Sequence, residues 1–202
     1  MGEAVKPEAV LEKWFGPESS REFPPDSIRA QWWAKNNSFD AELRRDYGSA
    51  LEQGVSGELE SWRSTALGCV ALIVLFDQFA RNIHRGKAEM YRYDPLAVEL
   101  SKTMIEEGSD QKIGFFERLF VYMPLMHAES LQDQKQCIEK IDELADEATD
   151  PAKSIFSSNL KYAYQHKEIV ARFGRFPHRN AILGRDSTPE ELEFLRQPGS
   201  SF

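Results

Sequence analysis

Ala66-Leu67-Gly68-Cys69-Val70-Ala71-Leu72-Ile73-Val74-Leu75-Phe76 is the most apolar run of the chain, and it passes without a break into Asp77-Gln78-Phe79-Ala80-Arg81-Asn82-Ile83-His84-Arg85-Gly86. The run falls well short of the roughly 18 apolar residues that span a bilayer. Starting after Ser64 and leading into charge, it reads as a core helix. Asp77 and Arg81 stand four apart with the acid first, the favourable order for a pair on one helix, and they share a face with Val70 and Ile73. Charge on an apolar stripe has to be paired, because burying it alone is costly. Asp77 is therefore expected to neutralise Arg81 or an arginine from elsewhere in the chain.

Helical punctuation continues on both sides of this run. Pro7 suits a first helical position, and the segment it opens ends at Phe15-Gly16. After a breaker-rich loop to Asp26, Ser27 to Lys35 reads as a second helix with Trp32 and Trp33 on its inner face. Asp40 is expected to cap a third helix that reaches about Gln53 and is closed by Gly54. The pairs Asp94-Pro95 and Asp150-Pro151 each read as an N-cap followed by a first-turn proline, opening helices to about Glu107 and Phe173, which Gly108 and Gly174 stop.

Between those two lie an aromatic helix, about Lys112 to Tyr122, broken by Pro124, and an amphipathic one, about Leu131 to Ala148. The acids of the latter, such as Glu139, Asp142 and Glu143, form a solvated face. Thr188-Pro189-Glu190-Glu191 is a capping box for a last short helix. No alternating strand pattern occurs. The expected fold is all-α: one domain over residues 1–202, eight or nine helices joined by short connections as antiparallel hairpins, without a clean sequence repeat.

The formal net charge of -8 and a pI near 5.1 argue against a general nucleic-acid binder, which needs a basic face. Cys69 and Cys137 are far apart and outside any CxxC, so neither a zinc site nor a disulfide framework is suggested. The N-terminus, Met1 to Lys6, has no apolar leader and no myristoylation pattern, and no segment reads as membrane-spanning. A cytoplasmic protein is the simplest expectation.

Against this acidic background, Arg172-Phe173-Gly174-Arg175-Phe176-Pro177-His178-Arg179-Asn180-Ala181-Ile182-Leu183-Gly184-Arg185 is a cationic island without an acid. Together with Trp14-Phe15-Gly16, Leu75 to Gly86, and Tyr122-Met123-Pro124-Leu125-Met126-His127-Ala128-Glu129, it resembles the bacterial domain-of-unknown-function family 924 over nearly the whole chain. The resemblance implies tetratricopeptide-like α-hairpins in a right-handed superhelix, with no established activity. The chain departs from the usual family pattern at Ala80, where proline is common and where alanine should leave the helix less kinked. It departs again at Ala128, where serine is common.

Two chemistries are open to these residues. Arg81, Asn82, Arg175, His178, Arg179 and Asn180 are candidates to hold a small anionic molecule or an acidic peptide terminus, since guanidinium forks take carboxylate or phosphate bidentately. Alternatively, Asp77, His127, Glu129 and His166 are candidate acid–base groups of a hydrolase-like enzyme in the same groove. His166 lies on the inward stripe Asn159, Ala163, His166, Val170, Phe173, where a satisfied core histidine is the plain alternative. No cofactor or metal is expected: there is no HExxH, no di-iron Glu-x-x-His and no phosphate-cradling glycine loop. His127-Ala128-Glu129 and His166-Lys167-Glu168 do not chelate as pairs, because residues two apart on a helix diverge by roughly 200°. A third reading makes the charged motifs a tie between helices and nothing more.

Overall fold

The computed structural model describes residues 5–201, so the reading of the extreme N-terminus falls largely outside it. Among the described residues there are nine helices and no strand. In chain order they are α1 (Pro7–Phe15), α2 (Asp26–Trp33), α3 (Asn37–Val55), α4 (Ala66–Ile83), α5 (Asp94–Glu106), α6 (Phe115–His127), α7 (Leu131–Glu147), α8 (Ala152–Phe173) and α9 (Pro189–Phe194).

α4 is the axis. It packs against α1, α3, α5 and α6, and every residue from Val70 to Ala80 is buried. At 18 residues with a mean hydropathy of 1.5 it is long and apolar enough to cross a membrane, longer than the sequence reading allowed. Its place at the centre, with Asp77 and Arg81 ion-paired 2.9 Å apart, makes it a core helix. The stretch Val74–Phe79 is wound as a π-helix, so the segment carrying Asp77 is wider than an α-helix, not merely unkinked by Ala80. Thr65 caps α4 by accepting from the Gly68 N–H, and a Cβ at Gly68 would collide with the Trp62 carbonyl.

Aromatic rings fill the space around this axis. Trp14 meets Phe79 at 5.8 Å and Phe120 at 5.5 Å, and Trp32 donates from Nε1 to the Trp14 carbonyl at 2.8 Å. Of the two tryptophans expected inside, Trp32 is buried, whereas Trp33 is 57% exposed because α2 presents only one edge to α6.

Several boundaries differ from the sequence reading. Asn36, not Asp40, caps α3, accepting from the Ser38 and Phe39 N–H groups. Asp40 lies a turn inside and pairs with Arg85. Gly54 does not end α3; a Cβ there would lie 2.5 Å from the Phe76 ring, so glycine serves close packing. Asp94 stands inside α5 behind Tyr93, and α8 begins at Ala152, just after the second Asp-Pro pair. α6 continues through Pro124 to His127, since buried neighbours on all sides outweigh the one lost backbone bond. α6, α7 and α8 then pack in succession across short connections.

Candidate functional site

The two cationic segments come together at the C-terminal half of α4. The π-wound turn aims Asp77 at the last residue of α6, and Asp77 Oδ1 lies 2.7 Å from His127 Nδ1. The other carboxylate oxygen accepts from Gln78 Nε2 at 2.5 Å. Arg81, one turn on, bonds the Asp77 carbonyl at 2.9 Å and forks onto Asp94 at 2.8 and 3.0 Å. Gln134 fixes the end of α6 by donating from Nε2 to the Met126 and Ala128 carbonyls. These local features hold the imidazole in place.

Arg179 closes the cluster from the island. Its guanidinium lies between the rings of Tyr91 and Phe176, 4.4 and 4.6 Å from their centroids, and donates to the His127 carbonyl at 2.9 Å. Its contact with Asp94 is loose at 3.4 Å, and its buried Nε has no hydrogen-bond partner. Arg81 and Arg179 therefore share one carboxylate. The charges of Asp77, Asp94, Arg81 and Arg179 sum to zero.

Electrostatics follow from this enclosure. Burial pushes the Asp77 carboxyl up, but Arg81 and His127 outweigh it and hold it at about 2. Burial lowers His127 against the pull of Asp77, so the ring is neutral at pH 7. His166, whose ring centroid is 6.3 Å from that of His127, is pushed to about 3 by burial and then by His127. Its Nδ1 lies 2.8 Å from the Tyr162 carbonyl. His178, pushed to about 4 by burial and then by Arg179, packs on Phe176.

The remaining candidates sit elsewhere. Asn82 bonds the Gln78 carbonyl and Arg85, beside Asp40. Arg175 forks onto Glu191 at 2.7 and 2.8 Å, and Asn180 reaches Glu191 and Ser187. Glu129 is taken by Arg185 at 2.6 and 2.9 Å and by the Phe176 N–H at 2.8 Å. Among the described residues no three His, Cys, Asp or Glu side chains gather where they could hold a metal ion.

Asp94 and Tyr91 belong to the cluster, and sequence reasoning missed both. Asp94 was absorbed by its capping role before Pro95. Charge balance was the available signal, because an island of arginines without an acid must borrow acids from distant segments.

A family model described as a bacterial protein of unknown function, DUF924, matches residues 10–199. A solved structure of a protein of unknown function from Agrobacterium tumefaciens, ATU0120, is similar at 33% identity and a TM-score of 0.77, covering 94% of this chain and 96% of that one. No curated protein matches the chain.

Proposed function

The chain belongs to the DUF924 family of bacterial proteins of unknown function, and from that premise, which supplies no reaction, we propose that it is an acid–base enzyme acting on a small anionic substrate at the Asp77–His127 pair. The observation that carries this reading is the 2.7 Å bond from a fully enclosed carboxylate to His127 Nδ1, made from a π-wound turn. π-Bulges are rare and concentrate at functional sites. With Asp77 ionised, Nδ1 carries the proton and Nε2 the lone pair, the tautomer a general base needs. Among the described residues nothing bonds Nε2.

As Nε2 takes a proton, Asp77 stabilises the imidazolium that forms, and the C-terminal end of α6 does the same. Arg179 is the group for the substrate's anion: a carboxylate or phosphate oxygen would replace its loose 3.4 Å contact with Asp94. Because burial lowers His127, turnover should be flat around neutrality and fall only in acid. The supporting hairpins read as tetratricopeptide-like turns of a right-handed superhelix, in keeping with α6, α7 and α8 packing in succession. The location read is the cytoplasm, in keeping with two free thiols.

A structural clamp is the second reading, favoured by the zero net charge of the Asp77, Asp94, Arg81 and Arg179 cluster. The two separate on one variant. Nitrogen-detected NMR of His127 should show the Nδ1–H tautomer with a pKa below 6.5. In a screen of small phosphate esters, carboxylic esters and amides, His127→Gln should cost about 100-fold or more in turnover with its melting temperature held. An Nε2–H tautomer, or a His127→Gln protein that melts early with turnover unchanged, leaves the clamp standing instead.

A further inference from the structure

Arg21 is the one arginine among the described residues whose guanidinium makes no hydrogen bond and no ion pair, and its Nε is buried without a partner. It lines a surface pocket of about 420 Å³ between α1, the loop after it and the first turn of α4. That volume lies in the range of small-molecule sites. Leu11 and Leu67 give the lining its larger apolar side chains. Glu8 and Glu12, one turn apart on α1, and Glu18 also line it, and none of the three has an ion pair among the described residues. Elsewhere the chain matches its guanidiniums with acids or carbonyls. Here charges of both signs face one hollow unmatched.

The two signs are set apart by the elements that carry them. The first N–H groups of α4 have no intrahelical acceptor; the Thr65 side chain takes the one at Gly68, and Leu67, at the helix's positive end, lines the pocket together with Arg21. The acids stand on α1 and the turn after Pro17. A simple anion meets three carboxylates, and a simple cation meets a guanidinium and a helix N-terminus. We infer that the pocket binds a zwitterion with more ammonium than carboxylate, the chemistry of an α-amino acid with a cationic side chain. Its carboxylate pairs with Arg21 and the Leu67 N–H, and its ammonium groups pair with Glu8, Glu12 and Glu18. Ten residues of α4 separate Leu67 from Asp77, about 15 Å at the helical rise, so this site is distinct from the Asp77–His127 pair.

The test is thermal denaturation and calorimetry of the full chain with L-lysine, cadaverine and acetate, each against sodium chloride at matched ionic strength. At near-saturating L-lysine the melting temperature should rise by about 5 °C. Cadaverine, which lacks the carboxylate, and acetate, which lacks the amines, should each give less than about a third of that rise. Arg21→Ala should keep the unliganded melting temperature, since it removes no bond, and should weaken L-lysine binding about 10-fold or more. No response to L-lysine, an equal response in Arg21→Ala, or an equal response to cadaverine would each overturn the assignment.

Discussion

Asp77 faces an imidazole, a guanidinium and a carboxamide at once, at 2.7, 2.9 and 2.5 Å, with only 1% of its side chain exposed. Replacing its charge leaves Arg81 buried against Asp94 alone, with Arg179 competing for the same carboxylate. Breaking a buried pair costs about 3–5 kcal/mol, and the retained Asp94 keeps Asp77→Asn near the lower end, about 3 kcal/mol. For a chain of this size that is about 6–12 °C in melting temperature. A shift below about 2 °C would mean that Asp77 contributes little to the fold. The sequence disclosed the Asp77–Arg81 pair because it is local, four residues along one helix. It named His127 only as one of several acid–base groups for the same groove and left open which histidine meets Asp77, because that contact spans 50 residues and depends on where α6 ends. Pro124 gave a false stop there.

Glu129 does for the C-terminal island what Asp77 does for α4. Immediately after α6, it receives Arg185 in a fork and the Phe176 N–H, so one carboxylate pins both ends of the segment from Phe176 to Arg185. The apolar support beneath is small: Ile169, Val170 and Phe176 form a cluster apart from the main core, joined by Phe173 and Phe194. Glu129→Gln keeps the shape but removes the charge from bonds whose partners are about a quarter exposed. It should cost about 1–2 kcal/mol. The loss is local, so amide exchange should quicken from Gly174 to Ser187 while α4 stays protected. Equal acceleration in α4 would show the island to be part of one cooperative unit with the core. At this scale the helices were readable from periodicity and breakers, since each is a local property. The caps were less so: Asn36 and Asp40 are both good cap residues, and only packing decides that Asp40 turns inward to Arg85. The π-wound turn left no mark in the sequence, because its residues are ordinary helix formers whose winding is set by what they must reach.

For the molecule as a whole, acid pulls stability in two directions. With a formal net charge of -8 and a pI near 5.1, lowering the pH from 7 first relieves self-repulsion, which favours the compact state. Against this stand histidines held neutral inside the fold, with His166 pushed to about 3 and His178 to about 4. Their folded values lie below the unfolded value near 6.5, so the unfolded chain takes up protons first as the pH falls. The stability they contribute is complete above 6.5 and is lost progressively down to about 4 for His178 and about 3 for His166. Asp77, held at about 2, has the same sign in a lower window, its share disappearing from about pH 4 downward. Each buried neutral histidine costs up to about 1.4 kcal/mol per pH unit below 6.5, and His178 less because it is partly exposed. Urea unfolding at pH 7 and 5.5 should therefore show a net loss of at least about 2 kcal/mol, His127 adding to it with the same sign, with the relief of repulsion too diffuse to cancel the buried rings. His166→Asn should be less stable at pH 7 yet lose about 1 kcal/mol less on acidification, because the proton uptake it removes belongs to the unfolded state. Stability that held or rose between pH 7 and 5.5 would put charge repulsion, not the neutral histidines, in control of this fold.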